Sequence, residues 1–154
     1  MKSLIVGLGN PVLCDDGVGI HVVRRLREME LPDGVEVVEA GTAGLALLDL
    51  ISGYDRLIVV DAIDAGLPAG TVKELTLDDL ASAAPLHLSS SHDANLVAVC
   101  ELGRTLGLPI PLDVRIVAIQ IADAQTFSEA CTPEVAKAIG PACEAAVALS
   151  RAIR

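Results

Sequence analysis

Short apolar runs along the chain alternate with longer segments in which apolar residues recur every three or four positions. The short runs have the length and β-branched content of buried strands and predict strands at residues 4–6, 35–38, 56–60 and 114–119. The longer segments predict helices at residues 17–30, 43–51, 78–84, 93–106 and from Pro133 onward, with a kink or break in the last at Pro141. Residues 71–75 are predicted to form an edge strand, and residues 85–91 an irregular segment.

This alternation of strands and helices predicts an α/β fold, a three-layer α/β/α domain. We expect a mostly parallel sheet of about five strands, because strands separated by helices pair in parallel. No repeat, linker or low-complexity stretch divides residues 1–154, so a single domain is expected. Ligands of such sheets bind beyond the carboxyl ends of the strands, and the residues that follow each strand are therefore the first candidates for a functional site.

The composition excludes several classes of partner. The 154 residues carry 11 basic and 21 acidic side chains, a net charge of −10, so neither a nucleic-acid-binding surface nor an anionic-membrane-binding surface is expected. Tyr54 and Phe127 are the only aromatic residues, which also disfavours a base-stacking surface. No apolar run has the length of a signal peptide core or a membrane helix. We expect a cytoplasmic monomer that binds neither nucleic acid nor membrane.

The cysteines show neither a CxxC pair nor zinc-type spacing, and we expect all four to be reduced: Cys14, Cys100, Cys131 and Cys143. Cys14 stands beside two aspartates, which disfavour a thiolate. We expect it to pack in the fold rather than to act as a nucleophile.

A glycine-rich segment, Gly7-Leu8-Gly9-Asn10-Pro11, follows the first predicted strand, as in a dinucleotide-binding fingerprint. Val12 takes the place of the third glycine, which such a fingerprint needs for close helix packing. Two acids at the start of the next helix would repel a pyrophosphate. Nucleotide binding is therefore not expected.

Three aspartates lie at positions where a binding or catalytic site is expected. Asp15 and Asp16 open the first predicted helix, where one of them is expected to serve as the N-cap. Gly17 and Gly19 follow at once, each costing about 1 kcal/mol relative to Ala, and such glycines suit a site where backbone or ligand approaches closely. Asp61 follows an apolar run and is expected on the ligand-binding edge of the sheet, although an aspartate there can also form a turn.

A histidine completes this set. The segment Ser89-Ser90-Ser91-His92-Asp93 cannot form a catalytic triad, because adjacent side chains point in different directions, and the chain has no GxSxG motif. Near a helix start the dipole favours a neutral imidazole, which can bind a metal. Asp16, Asp61 and His92 therefore form a predicted three-ligand metal site with open coordination positions, provided that the fold brings them together.

Six segments occur in this order: LIVGLGNPVLCDDGVG, VVEAGTAGLALLDLI, LIVVDAIDAG, PAGTV, SSSHDANL and VAIQIADAQTFSEACTPEV. Together they resemble the hydrogenase maturation proteases, the endopeptidases of nickel–iron hydrogenases. The resemblance runs through most of the chain, and several motifs that agree in order are more specific than any one of them. The sequence departs from the family pattern at two points: Asp93 stands where many members carry Gln or Glu, and the proline that commonly follows AIQ is missing. Both departures indicate that the chain serves a different subgroup of hydrogenases.

The resemblance implies an enzyme that removes the C-terminal extension of the hydrogenase large-subunit precursor after nickel insertion. It implies that Asp16, in the GNxxxxDDGxG segment, Asp61 and His92 are both the nickel ligands and the catalytic residues. The aspartates are the candidate bases, and the histidine is mainly a ligand. The nickel is expected to be carried by the precursor, so that the isolated protein need not bind metal.

Two alternatives stay open. Peptidyl-tRNA hydrolases also begin with an apolar strand that leads into GLGNP, but the match ends at Pro11, and the acidic chain is unsuited to a tRNA backbone. A non-cleaving, metal-dependent chaperone would hold the same precursor. The sequence does not exclude such a chaperone, because no Ser or Cys nucleophile stands beside a competent base.

Overall fold

The computed structural model describes residues 1–41, 44–82 and 93–151, except the side chains of residues 93–95. Within these ranges the strands are β1 (Ser3–Leu8), β2 (Val35–Ala40), β3 (Arg56–Ile63), β4 (Val72–Thr76) and β5 (Asp113–Gln120). The helices are α1 (Val18–Arg27), α2 (Ala46–Ile51), α3 (Leu77–Ser82), α4 (Asp93–Thr105) and α5 (Pro133–Arg151). A 3₁₀ turn, Cys14–Gly17, precedes α1.

The strands form one sheet in the order β2-β1-β3-β5-β4. β1, β2, β3 and β5 are parallel, and β4 pairs antiparallel with β5 at the edge. Parallel neighbours cannot be joined by a tight turn, and the helices provide the crossovers that such pairing requires. The predicted five-stranded, mostly parallel sheet with an edge strand after residue 70 is confirmed.

The central strands are buried on both faces, because successive residues of a strand point to opposite sides of the sheet. Leu57 and Val59 of β3 belong to a core shared with α2, α3 and α4. Ile58 and Val60 belong to a second core, shared with α1 and α5. The unbroken apolar run of β3 follows from this double burial, and the predicted three-layer α/β/α architecture is confirmed.

The last helix corrects one prediction. α5 runs without interruption from Pro133 through Pro141 to Arg151, so of the predicted kink or break at Pro141 the break is wrong. Small residues on either side of the proline, such as Ala138 and Ala142, are buried against the sheet and α1, and this packing outweighs the backbone hydrogen bond that proline cannot make. In the described part of the chain, no helix has the combination of length and apolar character needed to cross a membrane.

The first helix corrects another. α1 begins at Val18 with Gly17 as its N-cap residue, so neither Asp15 nor Asp16 caps it. Both aspartates lie one turn earlier, in the 3₁₀ turn, where their side chains make other contacts. The segment predicted as irregular, residues 85–91, and the predicted start of the second helix at residue 43 lie outside the described residues; α2 is described from Ala46.

Candidate active site

The chain changes direction across the sheet between β1 and β3. It leaves β1 for β2 on one side and returns to β3 on the other, which makes the gap between the carboxyl ends of β1 and β3 the topological switch point. In open α/β sheets this crevice is where ligands bind. The 3₁₀ turn follows β1 at this edge and contacts β3.

Two glycines bring the backbone of this turn close to the strands. A Cβ on Gly19 would lie 2.3 Å from the carbonyl oxygen of Val60 and 2.5 Å from that of Leu8. Gly9 has φ of +134°, and a Cβ there would lie 2.1 Å from the carbonyl oxygen of Asp16. Both glycines permit a close approach that any side chain would block, as the sequence pattern indicated for Gly19 but not for Gly9.

Asp16 lies in the 3₁₀ turn at the carboxyl edge of the sheet. Its side chain is almost buried, since the residue is 7% exposed. The backbone N–H of Asn10 donates to Asp16 Oδ2 at 3.0 Å. One oxygen of the carboxylate is thus oriented by the glycine-rich segment that follows β1.

Asp61 lies inside β3 rather than after it. The strand continues three residues beyond its predicted end, because β5 offers pairing partners as far as Gln120, and Asp61 pairs in register with Ala118. Asp61 is fully buried, and the N–H of Ala62 donates to its Oδ1 at 2.8 Å. The fold thus brings Asp16 and Asp61 to the same edge of the sheet.

His92 lies outside the described residues, so its predicted place in the site remains a prediction. Asp93, the next residue, begins α4. The last turn of α4 lies at the amino edge of the sheet, where a Cβ on Gly103 would be 2.8 Å from Ile110 Cδ1. A helix of 13 residues is about 20 Å long, so its first residue lies at the carboxyl edge.

Metal binding by this chain rests on that third ligand. Within residues 1–41, 44–82 and 93–151, no group of three or more His, Cys, Asp or Glu side chains could hold a metal ion. The carboxyl groups of Asp16 and Asp61 lie at one edge of the sheet, and carboxylate oxygens are ligands that hard and borderline divalent cations accept. The predicted set of Asp16, Asp61 and His92 is therefore described for two of its three members.

Asp15 has a different role from its neighbour, and sequence reasoning missed it. Its Oδ2 accepts the backbone N–H groups of Ala122 at 2.9 Å and Asp123 at 3.0 Å. Its Oδ1 accepts the N–H of Thr132 at 2.7 Å, and the hydroxyl of Thr132 bonds to the same carboxylate. The fully buried Asp15 therefore ties the loop between β5 and α5 (residues 121–132) to the 3₁₀ turn. The signal was the second acid of the pair, which one N-cap could not explain.

Gln120 is a second residue that the sequence analysis did not select. It ends β5, is buried, and accepts the N–H groups of Ala65 at 2.8 Å and Leu67 at 3.3 Å through Oε1. Its Nε2 donates to Asp64 Oδ1 at 3.3 Å. Gln120 thus fixes the segment that follows Asp61, and its signal in the sequence was a polar residue at the end of an unbroken apolar run.

The cysteines show no reactive thiol. None of the four, all within the described ranges, forms a disulfide bond. Burial, and secondarily the charge of Asp15, raises the pKa of the Cys14 thiol, so the thiol is protonated near neutral pH. Burial likewise raises the pKa of Cys131 to about 11. Both results agree with a packing role for Cys14 and provide no thiolate nucleophile at this edge.

Comparisons with known proteins place these features in one family. The family model of HycI, described as hydrogenase maturation protease, matches residues 20–149. The hydrogenase expression/formation protein HupD of Thiocapsa roseopersicina is 30% identical over 147 residues, which cover 95% of this chain and 66% of that protein. The hydrogenase 2 maturation protease of Escherichia coli K12 is 32% identical over 152 residues, which cover 98% of this chain and 92% of that protein.

The fold agrees with these sequence relationships. The solved structure of the hydrogenase maturating endopeptidase HybD from E. coli superposes with a TM-score of 0.83 at 30% identity. The superposition covers 98% of this chain and 93% of that one. These findings favour the protease family over the peptidyl-tRNA hydrolase alternative.

Proposed function

The chain belongs to the hydrogenase maturation protease family, and we propose that it is an endopeptidase that removes the C-terminal extension from the large-subunit precursor of a nickel–iron hydrogenase. The observation that carries this proposal is the pair of buried carboxylates, Asp16 and Asp61, at the switch point between β1 and β3. Burying a carboxylate costs free energy of folding, so two at one ligand-binding edge favour a binding or catalytic role over a solvated turn.

The substrate supplies the metal in this proposal. Asp16, Asp61 and His92 recognise the nickel that the precursor carries, because carboxylate and imidazole groups are suitable ligands for Ni²⁺. Bound nickel supplies a positive charge that can polarise a carbonyl group or lower the pKa of a water molecule. Recognition of the inserted metal would explain how a small protein cleaves one bond in one partner, since only the loaded precursor completes the site.

Asp16 and Asp61 are the candidate general bases: one of them takes a proton from the water that attacks the scissile carbonyl and returns it to the leaving amine, as in an aspartyl-type endopeptidase. The N–H of Asn10 orients Asp16, and the N–H of Ala62 orients Asp61. These hydrogen bonds set the direction of both carboxylates before substrate arrives, which lowers the cost of reaching the reactive geometry. A covalent thiol mechanism has little support, because Cys14 is buried and its pKa is raised.

The composition supports the remaining parts of the proposal. A chain with a net charge of −10 is unsuited to nucleic acid and to anionic lipid, so the precursor is its proposed macromolecular partner. We expect the enzyme to act as a monomer in the cytoplasm. Its four cysteines form no disulfide bond, and the cytoplasm keeps thiols reduced.

The test incubates nickel-loaded precursor with the wild-type protein and with Asp16→Asn, Asp61→Asn and His92→Ala variants. Asparagine keeps the shape of aspartate and an oxygen that accepts the N–H of Asn10 or Ala62, so the fold should persist while the base is lost. We expect the cleavage rate to fall at least about 100-fold in each variant, measured by the mass of the large subunit. Asp33→Asn, an exposed carboxylate in the turn before β2, is the matched control and should cleave at the wild-type rate.

The same assay separates the protease from the non-cleaving chaperone. A wild-type protein that binds the loaded precursor and leaves its mass unchanged would establish the chaperone and exclude the protease. Full activity in a folded Asp16→Asn or Asp61→Asn variant would remove that residue from the proposed mechanism.

A further inference from the structure

Two apolar side chains project into solvent beside the candidate active site. Phe127 is 85% exposed and Val12 is 42% exposed. They lie on neighbouring segments, since Leu13 and Ser128 form a parallel backbone bridge. Ser128 N–H donates to the carbonyl of Val12 at 3.0 Å, and Cys14 N–H donates to the carbonyl of Ser128 at 2.9 Å. This pairing places Val12 opposite Phe127, and we refer to these two residues as the apolar platform.

The loop that carries Phe127 is held at several points. Asp15 accepts hydrogen bonds near both ends of the loop, from Ala122 and from Thr132. Within the loop, Asp123 Oδ1 accepts the N–H groups of Gln125 at 2.9 Å and Thr126 at 3.0 Å. The loop is thus held in place by hydrogen bonds while the ring of Phe127 stays exposed. An exposed aromatic side chain on an ordered segment is typical of a contact surface for a partner.

The platform is continuous with the site that must receive the substrate. Val12 stands four residues before Asp16 on the same segment, and Asn10, two residues before Val12, donates its N–H to Asp16. Val12 of the platform and Asp16 therefore belong to one short segment that follows β1 at the carboxyl edge of the sheet.

The charges around the platform indicate the chemistry of the partner. Asp123 and the exposed Glu129 lie on the same loop. The hydrogen bonds that Asp123 accepts from Thr126 and Gln125 lower the pKa of its carboxyl, so this rim is anionic at neutral pH. An anionic membrane and a second copy of this chain, with its net charge of −10, would both be repelled. A protein segment with basic groups would be attracted.

We propose that the apolar platform is the docking surface for the hydrogenase large-subunit precursor, which it holds through an apolar side chain flanked by Lys or Arg residues. The inference rests on the proposed function, because it assigns the substrate of the same site. It adds a binding determinant outside the Asp16–Asp61 pair: the platform binds the polypeptide of the precursor, whereas the carboxylates recognise its nickel and take part in the chemical step.

The test compares Phe127→Ser and Val12→Ser with Leu112→Ser. Leu112 is 77% exposed, just before β5 at the opposite edge of the sheet, and is the matched control. We expect KM for the nickel-loaded precursor to rise at least about tenfold in Phe127→Ser, with a smaller rise in Val12→Ser and an unchanged kcat in both. Leu112→Ser should keep the wild-type KM, and Phe127→Leu should recover most of the affinity.

Binding measured directly keeps the two proposals distinguishable. The Kd of the precursor is measured with Asp61→Asn alone and with Asp61→Asn combined with Phe127→Ser, so no cleavage is needed. If the wild-type protein does not cleave but Phe127→Ser weakens binding, the protease proposal fails and the docking surface stands. An unchanged KM and Kd in Phe127→Ser, or an equal loss in Leu112→Ser, overturns the docking surface. A wild-type dimer in sedimentation that Phe127→Ser dissociates would assign the platform to a second copy instead.

Discussion

Two adjacent aspartates of the same turn make different hydrogen bonds, and a substitution of Asp15 tests what its bonds contribute. Both oxygens of Asp15 accept hydrogen bonds from Ala122, Asp123 and Thr132. In Asp15→Asn an amide donor must face at least one of those donors, and a buried unsatisfied group costs about 1–3 kcal/mol. We expect the free energy of unfolding in urea to fall by about 2–3 kcal/mol.

Asp33→Asn provides the reference for this measurement, because its carboxylate is exposed and its replacement should leave the unfolding free energy unchanged. Equal stability of Asp15→Asn and the wild-type protein would show that the loop is not held by this carboxylate.

Removing the thiol of Cys14 is expected to leave cleavage of the precursor intact. Burial raises the pKa of its thiol, so little thiolate exists near pH 7. We expect Cys14→Ala to process the precursor at a rate within about threefold of the wild-type rate, with a loss of stability of about 1 kcal/mol. An inactive Cys14→Ala protein that melts at the wild-type temperature would instead support a thiol nucleophile.

The location of Asp16 and Asp61 at the carboxyl edge of the sheet could be predicted from the sequence, because each aspartate follows or ends a predicted strand and the rule that ligands bind there is local to each strand. The sequence was insufficient for Asp15. Which of two neighbouring aspartates turns inward depends on donors such as Ala122, which lies 107 residues along the chain and which only the folded topology brings near. The burial of both carboxylates was also not predictable from the pattern.

Gly19 allows α1 to pack closely on the sheet, which offers a test of the helix's position. A methyl group on Gly19 would lie 2.3 Å from the carbonyl oxygen of Val60, so α1 must move away from β3 in Gly19→Ala. We expect a loss of about 1–3 kcal/mol in unfolding free energy and a reduced cleavage rate, because Asp16 moves with the start of α1.

Gly41→Ala is the control for this substitution. A Cβ at Gly41 meets no atom within 4 Å among the described residues, so its stability should change by less than about 0.5 kcal/mol. Wild-type stability and activity in Gly19→Ala would contradict the close approach of α1 to β3.

Hydrophobic periodicity predicted the strands and helices that form because their own apolar residues are buried. Periodicity did not predict the end of β3, because that end depends on the neighbouring strand. β3 continues to Ile63 because β5 pairs with it as far as Gln120. Periodicity also failed at Pro141, because local preference predicts a break while the packing of α5 on α1 and the sheet does not permit one. The 3₁₀ turn at Cys14–Gly17 is a third case, since its form depends on contacts with the distant β5–α5 loop.

The amino edge of the sheet, opposite the candidate site, is held by a buried ion pair. Arg56 Nε donates to Asp113 Oδ2 at 2.7 Å, and Arg56 Nη1 donates to the carbonyl of Leu149 near the end of α5. The pair thereby joins the starts of β3 and β5 to the last helix. Removing one member of such a pair leaves the other charge buried and uncompensated, which is strongly destabilising.

This ion pair predicts how stability depends on pH. Burial alone would raise the pKa of Asp113, but hydrogen bonds from Arg56 and Arg115 outweigh it and hold the pKa below its usual value. A carboxyl whose pKa is lower in the folded state adds stability above its unfolded pKa, about 3.9, and loses it as the pH falls through the folded value.

We therefore expect Asp113→Asn to lose about 3 kcal/mol of unfolding free energy at pH 7. The difference from the wild-type protein should shrink as the pH falls below about 4, because the wild-type carboxyl is then protonated as well. Urea denaturation at several pH values measures both effects. A difference that stays constant from pH 7 to the acid limit would contradict the ionised pair.

The proposed recognition of the precursor's nickel can be tested by comparing the two forms of the substrate. Large-subunit precursor is prepared with and without nickel, and each form is incubated with the wild-type protein and with Asp61→Asn. The mass of the large subunit is then followed over time. We predict that the nickel-loaded precursor alone loses its C-terminal extension, and only with the wild-type protein. Cleavage of the nickel-free precursor at the same rate would contradict recognition of the metal.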